Sequence, residues 1–486
     1  MNWENEVLDL LAGRSLDSGI PSAINLEIQE KYSDVKLDYL LSHTNQRAAL
    51  AVLLAKIPIL DTTEVIRTLE NVLHLLKLPT IEWIWWVDDY TVTKGEYRIQ
   101  IDFKEHARNL LIIAKEVVTQ RKDLLNTYKM EILESVGAFN IDAPWCGESM
   151  LKISQEVLSH IDIDDEVLIQ LVNGLKSKLS NLKNNKVSQA GYKKLNLNNG
   201  LRPRLGFNEI EDQRYKWKTE NIDSISLFKL LLENLEGSKV KEYWWIISPT
   251  ILNILDDYEG PIKLKGVELL SILLSKVDDD YLKLTGMIDI FYDAIAPLLT
   301  YLPKLTPTKQ SVMIQKQTYP VLIRMFSKTP DFKDRLIKLL NTGIYQSINN
   351  VRDNFEILPI LTDHMIRIVE CLGITTVKCL PRLLYTLGMI IADPFIYLHQ
   401  TLFSKALHCL IAILLNGWPR IENHKYDILG MIVLGFKKYE KSEDVEEKLK
   451  VLVALLRKVC DEDKLENDIK ELVTNDSTLK GLFNKI

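Results

Sequence analysis

Apolar residues recur along almost the whole chain at the spacing i, i+3, i+4, i+7, which places them on one face of an α-helix. The stretch 61–79 shows this clearly. Its threonines and Glu64 suit the positive end of a helix, an apolar stripe begins at Val65, and Pro79 ends the segment. Comparable segments separated by short connections continue to residue 460. The pattern predicts an all-α protein.

One short stretch departs from this period. Residues 90–103 (YTVTKGEYRIQIDF) alternate polar and apolar side chains, as a half-buried strand does. A β-hairpin and a loop both remain open for this segment.

The segment 249–266 follows the internal pattern of a HEAT repeat. Pro249 stands in a first helix, and the turn that follows carries Asp257. Here Asp257 is expected to cap the second helix, Lys263 to bridge to the acid of a neighbouring turn, and Gly266 to let two helices approach. We therefore predict a HEAT-like α-α superhelix, with generic armadillo-like stacking as the alternative.

The segment 181–222 differs in composition from the residues on either side of it. It is rich in asparagine, and residues 176–218 hold eleven Lys and Arg against three acids. We expect a basic loop or linker that divides an N-terminal helical region, 1–180, from C-terminal HEAT-like repeats, 223–486.

Composition fits a globular protein and excludes several classes. With 486 residues, 47% hydrophobic and 26% charged, the chain has enough apolar material for large cores. The net charge of −6 provides no general field for nucleic acid. The five cysteines are scattered without paired spacing, which favours a reducing compartment. The acidic N-terminus predicts no secretory signal, and Asp393-Pro394 breaks the most apolar stretch, so no membrane helix is expected.

Catalytic and cofactor motifs are absent from the sequence. Glycine-rich phosphate loops, C-x-x-C and H-E-x-x-H do not occur. The nearest approach to a zinc cluster is Cys371, Cys379 and His408-Cys409, but their apolar surroundings favour core packing. Cys146 precedes an acid, yet no base partner is evident, so a helix start is the better interpretation. We predict no enzyme, metal or cofactor.

Aromatic residues offer candidate docking groups. Trp83, Trp85 and Trp86 fall on different faces if they are helical, so Trp85 and Trp86 are candidate partner-binding residues, with core packing as the alternative. In the basic segment, Leu205 and Trp217 are expected to dock on the helical body. The same segment could instead serve as an RNA-binding arm whose aromatic residues stack on bases.

Several stretches together resemble the Tel-two-interacting protein two family, the small subunit of the TTT co-chaperone complex. The strongest is 254–270, followed by 372–384, and then by a helix that ends near residue 418; a weaker likeness covers the Arg- and Pro-containing stretch 201–206. The likeness extends over about 200–420 and is poor over 1–180. The motif positions are Asp256, Asp257, Tyr258, Lys263, Lys265, Gly266, Gly373, Trp418 and Pro419.

This resemblance implies a non-enzymatic helical-repeat scaffold. The implied partners are the Tel-two-type and Tel-two-interacting-one-type subunits, and indirectly chaperone adaptors and the phosphatidylinositol-3-kinase-related kinases of DNA-damage and growth signalling, whose maturation and stability the complex supports. The implied location is cytoplasm and nucleus. Two other classes stay open: a transport or RNA-linked HEAT adaptor that uses the basic loop, and an enzyme with an unrecognised site.

Overall fold

The computed structural model describes residues 2–16, 19–88, 91–179, 186–194, 207–438 and 442–483. Over these ranges the regular structure is helical, with only two isolated β-bridges, Ala143–Cys146 and Val187–Lys193. The all-α prediction is confirmed. The chain divides into two compact units, Met1–Asn253 and Ile254–Ile486.

The first unit is built from helices that begin with α1 and run into α12, whose last two residues belong to the second unit. They are α1 (Asn2–Leu11), α2 (Ser22–Lys31), α3 (Leu37–Ser42), α4 (Arg47–Lys56), α5 (Thr62–Leu75), α6 (Gly95–Gln120), α7 (Lys129–Gly137), α8 (Glu148–Leu158), α9 (Asp165–Leu179), α10 (Phe207–Glu220), α11 (Ser224–Asn234) and α12 (Trp244–Leu255).

The second unit continues with α13 to α25. They are α13 (Gly260–Lys276), α14 (Asp279–Thr285), α15 (Met287–Ile295), α16 (Thr308–Ser327), α17 (Phe332–Leu339), α18 (Tyr345–Asn350), α19 (Leu358–Leu372), α20 (Leu380–Ala392), α21 (Gln400–Gly417), α22 (Lys425–Lys438), α23 (Glu443–Val459), α24 (Glu462–Asn475) and α25 (Lys480–Phe483). Two 3₁₀ segments, Gly373–Cys379 and Trp418–His424, join α19 to α20 and α21 to α22.

Helix α5 shows how the predicted pattern becomes structure. Its apolar stripe is buried, with Val65 and Leu69 at 0% and 1% exposure. The cap, however, is Asp61, whose carboxylate accepts a hydrogen bond from the backbone N–H of Glu64 at 2.8 Å. A charged acceptor one position earlier therefore replaces the expected threonines.

The stretch 90–103 is not a hairpin. Its described residues enter α6 at Gly95, and the apparent alternation arises because Ile99 and Ile101 are both partly exposed on that helix. Gln100 lies between them and is buried. Its carboxamide accepts from Ile84 N at 2.9 Å and donates to Ile84 O at 3.2 Å, so a polar side chain anchors α6 to the connection before it.

The predicted loop 181–222 is wrong over two described stretches. Residues 186–194 form a tight turn, and Gly191 O accepts hydrogen bonds from Trp244 Nε1 at 3.0 Å and Ser248 Oγ at 2.6 Å on α12. Phe207–Glu220 is helix α10. The compact units accordingly divide within α12, whereas the predicted division lay at 181–222.

The helices of the second unit form two layers. In one layer, α13, α16, α19, α21 and α23 each pack on the next; in the other, α20 packs on α22, and the helices of this layer also pack on their chain neighbours in the first. This arrangement is typical of a helical-repeat solenoid.

The connections between the helices of this unit lie on two edges of the layers, as the hydrogen bonds between them show: on one edge, Lys328 bonds to Asp279 and Lys333 bonds to Cys371 O. We call the edge reached after α13, α16, α19, α21 and α23 the first edge, and the edge before them the second. Hydrogen bonds join neighbouring connections on each edge: Asp461 N donates to Glu422 Oε2 at 3.0 Å on the first, and Asn354 Nδ2 donates to Thr308 Oγ1 at 3.2 Å on the second.

Two helical stretches of this unit, Leu358–Ala392 and Gln400–Lys438, are apolar and long enough to cross a membrane by length and composition alone. Each contains one of the 3₁₀ segments, and 50% and 56% of their apolar windows are buried inside the protein. The buried part of the apolar surface of these two stretches is covered by packing between the two layers of helices.

Candidate protein-interaction surface

The HEAT-like turn between α12 and α13 is ordered by side chains that its motif supplies. Asp257, only 2% exposed, accepts from the backbone N–H of Glu259 at 2.8 Å, and Glu259 is the N-cap residue of α13. Lys263 is also buried and donates from Nζ to Leu255 O at 2.6 Å, a carbonyl at the end of α12. The two residues therefore fix the turn from both sides.

Gly266 on α13 lies directly against Leu255, the last residue of α12. A methyl group built on the glycine Cα would lie 2.8 Å from Leu255 Cγ and 2.9 Å from Leu255 N. A side-chain carbon atom at position 266 could occupy that space only if the backbone at Leu255 moved. Asp256, Tyr258 and Lys265 complete the motif; Tyr258 is 66% exposed, and Lys265 pairs with Glu268 at 3.4 Å.

Replacing Asp257 with alanine should lower the free energy of unfolding by about 1 kcal/mol, because the buried Glu259 N–H loses its acceptor at the start of a helix. Urea denaturation followed by circular dichroism measures the change. Asp353→Ala removes an exposed carboxylate from the same edge and should change stability by less than about 0.5 kcal/mol. Equal effects of the two substitutions would contradict the structural role of Asp257.

The other two motif segments lie together on the first edge, away from the Asp257 turn. Gly373 ends α19 at φ +56°, a conformation that favours glycine, and opens the 3₁₀ segment Gly373–Cys379. That segment contacts Trp418–His424. Ile374 and Trp418 are exposed by 62% and 56%, and Pro419 is exposed as well.

We call Ile374 and Trp418 the first-edge patch. Two large apolar side chains on contacting turns of adjacent repeats give a surface suited to another protein rather than to water. The sequence placed Gly373 and Trp418 in one motif set, but the tertiary packing of the 3₁₀ segments is what brings their turns together.

The tryptophans that were predicted to dock on a partner or on the helical body pack mostly against residues of this chain. Trp217 is 4% exposed and donates from Nε1 to Ser224 Oγ at 3.0 Å. Residues 83–86 are not helical, and the rings of Trp83 and Trp85 lie edge-on to buried Trp145 at 5.2 and 5.6 Å. Trp85 and Trp86 are half-buried. Leu205 lies outside the described residues, as does the stretch 201–206.

Buried titratable groups are held in their neutral forms. Burial raises the pKa of the Cys379 thiol to about 11 and lowers the pKa of His364 to about 4. Burial also raises the pKa of Cys409. Cys146 is buried, and its Sγ lies 3.2 Å from Phe139 O. Protonated, enclosed thiols are packing groups and poor nucleophiles.

The described part of the chain holds no group of three or more His, Cys, Asp or Glu side chains placed to bind a metal ion. The four residues of the nearest sequence cluster, Cys371, Cys379 and His408-Cys409, thus do not gather into a metal-binding group.

A family model described as the Tti2 family matches residues 132–398. The chain is also similar to TEL2-interacting protein 2 of Saccharomyces cerevisiae, with 26% identity over 332 residues that cover 62% of this chain and 77% of that protein. A crystal structure of an engineered protein covers 94% of this chain and is itself covered to 99%, at 11% identity and a TM-score of 0.41. The family match includes the Asp257 and Gly373 segments, and ends before Trp418.

Proposed function

The chain belongs to the Tti2 family, and from that premise we propose that it is a non-catalytic scaffold subunit of the TTT co-chaperone complex. The observation that carries this proposal is the family match over 132–398, supported by the similarity to a protein named for its interaction with TEL2. The all-α architecture and the exposed first-edge patch are consistent with assembly as the activity.

The proposed partners are the Tel-two-type and Tel-two-interacting-one-type subunits. Through the assembled complex and the heat-shock chaperone machinery, the protein would support the maturation and stability of phosphatidylinositol-3-kinase-related kinases. These steps take place in the cytoplasm and nucleus under this proposal. The role of the chain is to supply surface, so no catalytic residue is assigned.

The structure supports the alternative function, an RNA-linked adaptor, less than the sequence did. The ring of Trp217, one of the aromatics expected to stack on bases, is enclosed by its own chain, and α10 replaces part of the expected free arm. The basic charge of the segment alone gives no base recognition.

Replacing both Ile374 and Trp418 with aspartate should weaken capture of a purified Tel-two-interacting-one-type subunit by about tenfold or more, because interface aromatic residues often dominate binding energy. Both side chains are largely exposed, so the melting temperature should stay close to that of wild type. Biolayer interferometry with the full chain measures the affinity.

The matched control is Leu305→Asp, which changes a residue 93% exposed on the second edge and should leave capture unchanged. Full capture by the double variant would remove the first-edge patch from the interface. Loss of capture by both variants alike would indicate a nonspecific effect of added charge.

A further inference from the structure

A groove separates α22 from α24 near the end of the second unit. In the same layer α20 packs directly on α22, but the next step, from α22 to α24, leaves a cavity of about 310 Å³. Its lining residues are Tyr426, Leu429, Gly430, Val433, Asp468, Glu471, Leu472 and Asn475.

The floor of this α22–α24 groove is apolar and open. Leu429, Val433 and Leu472 supply aliphatic surface, while Gly430 stands in the middle of α22 with no atom within 4 Å of the position a Cβ would take. Tyr426, 67% exposed, lies at one end. An apolar channel flanked by two helices fits the apolar face of a third helix.

The α24 wall presents the carboxylate of Glu471 to the groove. Residues 461–476 contain seven Asp and Glu against two Lys. Three of these acids pair with basic side chains of this chain: Asp461 with Lys464, Glu466 with Arg457 and Asp476 with Lys437. Asp468 is already engaged by Lys425 at 2.6 Å, whereas Glu471 is exposed at the groove itself. An occupant that places Lys or Arg beside its apolar face would complement this wall.

We propose that the α22–α24 groove receives an amphipathic, Lys- or Arg-bearing helix of a partner subunit; this rests on the proposed assembly function. The apolar face of that helix covers Leu429, Gly430, Val433 and Leu472, and its basic side chains face Glu471. The lining residues span 426–433 on α22 and 468–475 on α24, which is about 12 Å of each helix and enough for about two turns of a partner.

The sign of the charge selects this occupant over other macromolecules. Anionic lipid headgroups and nucleic-acid phosphates would meet the carboxylate of Glu471 and gain no cationic partner from it. An amphipathic protein helix supplies an apolar face for the groove floor and adjacent cationic side chains for Glu471.

The test uses the full chain and the purified Tel-two-type and Tel-two-interacting-one-type subunits as probes. Gly430→Trp fills the groove, and Glu471→Lys reverses the charge at its rim. Gly430→Trp should weaken capture of the subunits by about tenfold, as loss of a central contact does, and Glu471→Lys by about threefold with the larger effect at low salt. Leu305→Trp and Asp353→Lys are the matched controls: they introduce the same side chains at exposed positions on the second edge, outside the groove, and should leave capture unchanged.

A photo-crosslinking benzoylphenylalanine at Tyr426 gives an independent readout. The proposal expects crosslinks to a partner segment with apolar residues at i, i+3, i+4, i+7 and adjacent Lys or Arg. Crosslinks to a second copy of this chain, or none in the assembled complex, would overturn it.

The two proposals fail in different ways. If wild type captures neither subunit, the assembly function fails and the groove proposal with it. If wild type, Gly430→Trp and Glu471→Lys all capture the subunits equally, the assembly function stands and the groove proposal is wrong.

Discussion

Replacing Trp145 with alanine should lower the free energy of unfolding by about 3–5 kcal/mol, the range for truncating a large core aromatic. Trp145 is fully buried at 0% exposure, and its Nε1 donates to Ala138 O at 2.9 Å. The rings of Trp83 and Trp85 rest edge-on against it. The substitution would remove the centre of this cluster and leave a cavity and an unpaired carbonyl.

Urea denaturation monitored by circular dichroism measures this loss. The matched control is Trp418→Ala, since Trp418 is 56% exposed and its truncation should cost less than about 1 kcal/mol. If both substitutions destabilised the protein equally, the assignment of Trp145 to the core and Trp418 to a binding surface would be wrong.

Gly266→Ala should destabilise the protein by about 1–3 kcal/mol, although alanine ordinarily favours a helix over glycine by about 1 kcal/mol. The added methyl group would meet Leu255 Cγ at 2.8 Å and the Leu255 backbone nitrogen at 2.9 Å. Relief requires α12 and α13 to move apart, which disrupts the contacts on both sides of the Asp257 turn.

Gly430→Ala, in the same unit, should have the opposite effect on stability. Gly430 is exposed in mid-helix with open space around it, so alanine there should raise stability by about 1 kcal/mol. Thermal melting of the two variants should therefore shift in opposite directions. A stabilising effect at Gly266 would contradict the close helix approach.

The fold class and the place of the turn between α12 and α13 were predictable because they depend on local order in the sequence. Helical periodicity and one Pro–Asp–Lys–Gly spacing suffice to indicate an all-α chain and a site where two helices approach. Asp257 was expected to cap the second helix, but Glu259 is the N-cap residue and Asp257 accepts from its N–H instead. The stretch 90–103 was harder, because the buried Gln100 is polar and its bonds go to Ile84, outside any local pattern.

Two described stretches of the segment 181–222, residues 186–194 and helix α10, differ from the predicted loop for a related reason. The composition of the segment is that of an exposed linker, but Gly191 receives hydrogen bonds from Trp244 and Ser248, and Trp217 is enclosed near Ser224. The groups that bond to these two stretches lie elsewhere in the chain, and the local composition does not indicate them.

The interaction surfaces were only partly accessible from sequence. Gly373 and Trp418 stood out by resemblance, yet their proximity depends on contact between two 3₁₀ segments. The α22–α24 groove was missed. Its available signal was a glycine in mid-helix followed, two helices later, by an acidic helix; the space between them is set by packing.

Co-assembly of the full chain with the Tel-two-type and Tel-two-interacting-one-type subunits tests the central claim most directly. The three proteins, co-expressed and separated by size-exclusion chromatography with light scattering, should elute as one complex that contains all three chains. Elution of this chain alone, while the other two subunits assemble without it, would contradict its assignment as a subunit of the complex.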